Sequence, residues 1–204
     1  MRLQNTAHTS QPWRIHELTS DFRLEDVWGL PTPGGADDFP RLVQLIASGD
    51  PSQSSSRAVR TLFAVRWKVG GLLGWDGTEA GHGSERPTIR DRLPADLQDA
   101  PSGPGFDALP FSSLYLIDDE WAAEIANRTA HAIMHIGWVP DGTGDYHGQM
   151  AVYVKPNGLF GTAYMAAIRP FRHTLVYPPM IREFGREWRA HAGDPTASSS
   201  GSSA

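Results

Sequence analysis

The chain has 204 residues, no cysteine, a formal net charge of −5 and a sequence pI near 5.9. The missing cysteines exclude a thiol nucleophile, a thiolate metal site and a disulfide framework. The acidic balance argues against nucleic acid as a partner, because that role needs a basic face to neutralise phosphates. With 40% hydrophobic residues and 21 glycines the composition is that of an ordinary globular domain. A chain of this size buries about 70% of the surface its unfolded form exposes, and it needs no metal to fold. Residues 1–13 carry Asn5, His8 and Gln11 and no apolar run, so no signal peptide is read there. No stretch approaches the roughly 20 apolar residues of a membrane span. The expectation is one cytoplasmic domain over residues 1–192.

Trp13 to Leu18 alternates apolar and polar, the period of a half-buried strand. Ser20 or Asp21 then caps a short helical turn carrying Phe22, Val27 and Trp28, stopped by Pro31, Pro33, Gly34 and Gly35. Asp37 and Asp38 open a second helical piece with Leu42, Leu45 and Ile46 on one side. The clearest helix is read at 55–75, where Val59, Leu62, Phe63, Trp67 and Leu73 recur at helical spacing. Arg57, Arg60, Arg66 and Lys68 form its solvated side. This apolar helix serves a homodimer as readily as a monomer core. Residues 76–110, rich in Gly, Pro and Asp, read as a long loop or lid with one helical turn near 89–97.

Next comes a meander. Strands at 111–117, 120–126, 129–139 and 146–155 are separated by turns at Asp118-Asp119, Asn127-Arg128 and the cluster Pro140 to Asp145. Such short connections imply antiparallel neighbours. Asn157 then precedes a helical region carrying Tyr164, Ala167, Ile168 and Phe171. Pro170 is expected to kink it, and Pro178-Pro179 to break it again. Ile181, Phe184 and Trp188 form a last stripe. The Ser/Gly/Ala-rich residues 193–204 read as a disordered tail.

Several segments carry a family resemblance. They are Leu72-Leu73-Gly74-Trp75, then Leu116-Ile117-Asp118-Asp119-Glu120 through His131. The most specific is Val154-Lys155-Pro156-Asn157-Gly158-Leu159-Phe160-Gly161-Thr162-Ala163-Tyr164 with Arg169-Pro170-Phe171-Arg172-His173. Together they resemble the bacterial domain-of-unknown-function family 2867, over roughly Trp13 to Trp188. That family in turn resembles the polyketide-cyclase and START-like helix-grip superfamily. The resemblance implies an α+β fold in which a curved antiparallel sheet wraps a long, kinked C-terminal helix and leaves an apolar cavity. It implies no particular reaction. No glycine-rich dinucleotide fingerprint follows a strand, so no nucleotide cofactor is expected.

His131 and His135 lie four apart on a predicted strand and so share a face. A zinc reading would add His147. The shared face is the more polar one, however, so these histidines read as solvent-facing or hydrogen-bonded, with His131 kept as an acid/base candidate and no metal expected. Asp118, Asp119 and Glu120 read as a solvated turn, and Glu124 as a residue of an exposed sheet face. Tyr164 and His173 are the other catalytic candidates. Tyr164 offers a hydroxyl, and His173 a proton near neutral pH; the competing reading is a core tyrosine and a surface histidine. Trp67, Trp121, Met134, Trp138, Asn157 and Phe171 are the candidate ligand contacts. The expected function is binding of a small hydrophobic molecule, with an acid/base cyclisation, dehydration or isomerisation of a polyketide-like compound. A non-catalytic carrier or sensor, and a protein-interaction module, are the alternatives.

Overall fold

The computed structural model describes residues 1–53, 60, 88–127 and 130–192. Five strands form one curved antiparallel sheet: β1 (Arg23–Gly29), β2 (Ser112–Ile117), β3 (Glu120–Ala126), β4 (Ala130–Pro140) and β5 (Tyr146–Pro156). Their order is β1-β5-β4-β3-β2. β2 to β5 are thus the meander that the turn chemistry implies, and β1 returns to lie beside β5. The β4–β5 turn shows the local cause. Gly142 and Gly144 take φ values of 85° and 107°, a region open mainly to glycine. The Asp141 carboxylate accepts from the amide and hydroxyl of Thr143.

Helices occupy the rest: α1 (Thr6–Thr9), α2 (Ile15–Leu18), α3 (Phe39–Ala47), α4 (Ala95–Gln98), α5 (Gly158–Phe171) and α6 (Tyr177–Ala192). In α3 the residues Phe39, Leu42, Val43, Ile46 and Ala47 fall on one stripe, and all are buried. Pro40 sits in its first turn, where a missing N–H costs nothing.

Successive side chains of a strand point to opposite faces, so the sheet has two interiors. On one face Tyr115, Ala122, Ile133 and Tyr153 pack against Trp13, Ile15 and Leu18 and against Ile89, Leu93 and Leu97. Residues 88–97 of the long connection are thereby part of the core. On the other face Trp121, Ile136, Trp138 and Met150 lie beneath α3 and α6, which contribute Phe39, Leu42, Tyr177, Ile181 and Trp188.

Two local expectations are corrected. Trp13 to Leu18 is no strand; Ile15 to Leu18 forms the helical turn α2. Ile15 and Leu18 are three apart and both buried, the spacing of one helical face, and only Trp13 and Ile15 fit a period of two. The segment carrying Val27 and Trp28 is no helix; it is β1. A β-bulge between Leu24 and Asp26 shifts its register on β5 and disrupts the period-two signal. The C-terminal region differs in detail as well. α5 runs on through Pro170 to Phe171, and a π-helical turn at Arg172–Val176 leads directly into α6. Pro178 and Pro179 have no amide to bond back one turn and their rings crowd the preceding carbonyls. A widened turn just before them accommodates both effects. The helical stretch at 55–75 and the tail at 193–204 lie outside the described residues, apart from Arg60.

The closest packing is at Gly137, where a Cβ would lie 2.2 Å from the ring of Trp13. Gly137→Ala is expected to destabilise the fold by about 1–3 kcal/mol, as overpacking does. Gly105→Ala, with no neighbour within 4 Å, is the neutral control. Urea midpoints at unchanged slope measure both.

Candidate functional site

Three groups of side chains are candidates, one on one face of the sheet and two side by side on the other. The first is a buried polar layer under the N-terminal segment. Glu120 and Glu124 on β3 face the same side as His131 and His135 on β4, each carboxylate one diagonal step from an imidazole. His135 Nε2 donates to Glu120 at 2.9 Å and His131 Nε2 donates to Glu124 at 2.7 Å. Glu120 also accepts from the amides of Arg14 and Ile15 and from the Tyr115 hydroxyl. Glu124 accepts from the amide of Ile89. The acids read as solvent-facing are therefore buried, at 2% and 5% exposure. They fasten α2 and the start of the 89–97 segment to the sheet.

Electrostatics fixes the protonation of this layer. Burial pushes the Glu120 carboxyl up, but the His135 hydrogen bond and the two amides outweigh it, and the net shift is down. Burial lowers His135 despite its glutamate partner. The pair is thus a carboxylate and a neutral imidazole. His8, fully buried, donates from Nδ1 to Gln149 at 3.1 Å, and its ring lies 5.0 Å from that of His135. Burial, reinforced by His135, lowers its pKa to about 2. The carboxylates are met by the protein's own donors, while His8 Nε2 and His135 Nδ1 are buried among packed rings without a hydrogen-bond partner. Among the described residues no three histidines or carboxylates converge as metal ligands.

The second candidate is an open cleft of about 720 Å³ on the other face. Met134 and Met150 form its floor. Leu45 and Ile46 of α3 and Met180, Phe184 and Trp188 of α6 form its walls. Arg41, Gln44, Glu183 and Glu187 lie at the rim. The Arg41 guanidinium stacks 3.9 Å over the Trp188 ring and donates to the Trp188 carbonyl, holding α3 and α6 at their separation.

The third is a charged cluster beside this cleft. The bulge in β1 puts Glu25 and Asp26 opposite the π turn. The fully buried Asp26 carboxylate meets His173 and Arg172, and Arg172 also reaches Glu25 at 3.5 Å. Arg2 reaches Asp26 from the N-terminus at 3.9 Å. Tyr177 packs on Trp28 with ring centroids 5.3 Å apart, and burial raises its hydroxyl pKa to about 12.

The sequence candidates are thus dispersed. Met134 lines the cleft. Trp121 and Trp138 share its face but are covered, Trp121 stacked on Phe106 and Trp138 beside Phe39, Tyr146 and Trp188. His173 belongs to the charged cluster, and His131 to the opposite face. Asn157 precedes α5, and its side chain donates to the Asn127 carbonyl at 2.7 Å instead of capping the helix. Trp67 and the side chains of Tyr164 and Phe171 lie outside the described residues. Asp26, Arg172 and Trp28 were missed. Their signal was an acidic pair inside an apolar run, Leu24-Glu25-Asp26-Val27-Trp28, which a bulged strand explains.

A family model described as "Protein of unknown function (DUF2867)" matches residues 18–180. No curated protein and no solved structure matches the chain. No helix among the described residues is long and apolar enough to cross a membrane.

The neutral histidines make stability pH-dependent. Below the ordinary histidine pKa of 6.5 the unfolded chain binds protons that folded His8 and His135 do not. Stability is therefore greatest above pH 6.5 and falls as pH drops, by roughly 1 kcal/mol per pH unit for each such group. Glu120, whose pKa is lowered on folding, adds a further loss as pH falls through 4.5. Denaturant melts at pH 7.5, 6.5 and 5.5 should show this decline, and His8→Asn, if it folds, should flatten it. A constant midpoint would contradict the assignment.

Proposed function

The chain belongs to the family described as protein of unknown function DUF2867, and from that starting point we propose that it binds a small hydrophobic molecule. The site is the cleft between α3, α6 and the floor of β4 and β5. The observation that carries this reading is the cleft itself. Its volume of about 720 Å³ is in the range of small-molecule sites, which combine apolar walls with a few polar groups. Three methionines line it, Met134, Met150 and Met180. Their unbranched, polarisable side chains adapt to ligands of varied shape. Trp188 and Phe184 offer faces for a ring-bearing, polyketide-like compound. A long C-terminal helical region beside a curved antiparallel sheet is also compatible with a helix-grip arrangement.

Binding without turnover, as a carrier or sensor, is the primary reading, because the cleft is mainly apolar. One observation favours an acid/base step as the second reading. His173 is held against a buried carboxylate, the arrangement by which proteins orient a histidine for proton transfer. Such a site would serve cyclisation, dehydration or isomerisation, with positioning in the cleft supplying most of the effect.

Apolar probes test the primary reading. Naphthalene and 8-anilinonaphthalene-1-sulfonate should raise the melting temperature by mass action and quench tryptophan fluorescence through Trp188. Met134→Trp, which fills the floor, should weaken both probes at least ~10-fold, the equivalent of about 1.4 kcal/mol, while leaving the fold intact. Unchanged binding in that variant, or no binding in the parent, would refute the cleft as the site.

A further inference from the structure

Buried polar groups are normally hydrogen-bonded, and each exception calls for a reason. Among the described residues six of the eight such atoms gather in one place, the other two being His8 Nε2 and His135 Nδ1 on the opposite face. Both oxygens of Asp26, the indole Nε1 of Trp28, Nε and one terminal nitrogen of Arg172 and Nε2 of His173 are buried without a well-directed hydrogen bond. The Asp26 contacts to Arg172 and His173 are ion pairs of close approach, not aligned hydrogen bonds. Donors and an acceptor therefore face one another with bonding capacity unspent.

The cluster adjoins the cleft along two lines. On the sheet, Trp28 of β1 is the direct cross-strand partner of Met150, which floors the cleft. Asp26 pairs with Val152, which pairs in turn with Met134, the other floor residue. Two strand spacings, roughly 10 Å, thus separate the Asp26 and Met134 backbones. On the helix, Tyr177 lies three residues before Met180, on the same stripe of α6. The cluster thus lies next to the floor residues without itself lining the cleft, and a ligand seated on Met134 and Met150 reaches it by extending past Met150 and Val152 toward β1.

Resting on the cleft reading above, we infer that the cluster of Asp26, Trp28, Arg172 and His173 is the polar end of the ligand site and takes an uncharged hydroxyl. A hydroxyl donates once and accepts twice. It can donate to Asp26 while accepting from Trp28 Nε1 or Arg172. A carboxylate or phosphate would have to compete with the Asp26 and Glu25 carboxylates for the Arg172 they already pair with. The ligand class is a hydrophobic alcohol or phenol, not a fatty acid.

A matched set of probes tests this: naphthalene, 2-naphthol and 2-naphthoate, each titrated calorimetrically into the full chain at pH 7.5. A hydroxyl bonded to a charged partner gains about 10-fold or more, so 2-naphthol should bind at least ten times more tightly than naphthalene, and 2-naphthoate more weakly than both. Trp28→Phe and Asp26→Asn should each shrink the naphthol advantage several-fold and leave naphthalene binding in place. Either variant suffices if the other fails to fold. Equal affinity for naphthalene and 2-naphthol in the parent chain would overturn the inference while leaving the cleft standing. Preference for 2-naphthoate would overturn it in favour of an anion site. Failure of all three probes to bind would remove the cleft and the inference together.

Discussion

The fold depends on a carboxylate being tolerable inside it. Glu120 is 2% exposed, and an isolated buried carboxylate costs several kcal/mol. Here four donors meet it: His135, Tyr115 and the amides of Arg14 and Ile15. Those amides belong to the start of α2, where backbone N–H groups have no helical partner and attract negative charge. Glu120 thus solves two problems with one contact, its own desolvation and the open end of a four-residue helix. Glu124 repeats the device with His131 and the Ile89 amide. Removing one member of such a pair costs about 3–5 kcal/mol because the other is stranded. These pairs therefore specify where the N-terminal segment and the 89–97 segment settle, even if they add little net stability over an apolar core.

This division of labour separates the sheet's two faces. The histidine-rich face looks reactive in a list of residues, yet it is closed. His8, Trp13 and His135 pack ring against ring, with centroids 4.7 to 5.0 Å apart, and its carboxylates are fully employed. On the other face the helices stand off the sheet far enough to leave a cleft. Function follows unspent contacts. Methionine side chains with solvent on one side and polar atoms beside that opening are available to a ligand; a buried Glu–His pair closed in by packed rings is not.

The meander was legible in the sequence because its signals are local. Asp118-Asp119, Asn127 and the Asp141 to Asp145 cluster are turn formers whose chemistry acts within a few residues. α3 was legible for the same reason, since its stripe and its bounding residues are contiguous. The N-terminal elements were not. Trp13 to Leu18 is too short for a period-two pattern to be told from a period of 3.6, and its conformation is set by Glu120, more than a hundred residues away. Sheet-face polarity was misjudged because a Glu counts as hydrophilic wherever it stands. Yet Glu120 and Glu124 share a spacing of four with His131 and His135 on the next strand. Matched acids and imidazoles at equal spacing on antiparallel neighbours are a sign of buried pairing. Of the candidate contacts, Met134 emerged because alternation along β4 placed it opposite the histidines. Asp26 was hidden by the bulge that breaks the same alternation in β1.

That bulge has a counterpart across the cleft wall. In an unbroken strand Glu25 and Asp26 would point to opposite faces. Asp26 and Trp28, two apart, share the helix-facing side in any regular strand; the extra residue before Asp26 lets Glu25 reach Arg172 as well. In an unbroken α-helix, Arg172 and His173 would stand about 100° apart, with the next turn continuing at the same pitch. The π turn at Arg172–Val176 widens that pitch and lets both side chains approach Asp26. Each irregularity forgoes regular backbone pairing. Their placement directly opposite one another is what concentrates two acids, an arginine and a histidine beside the methionine-lined cleft. The regular elements build a platform with an apolar slot. The two irregular ones supply the polar contacts that can distinguish one occupant of the slot from another.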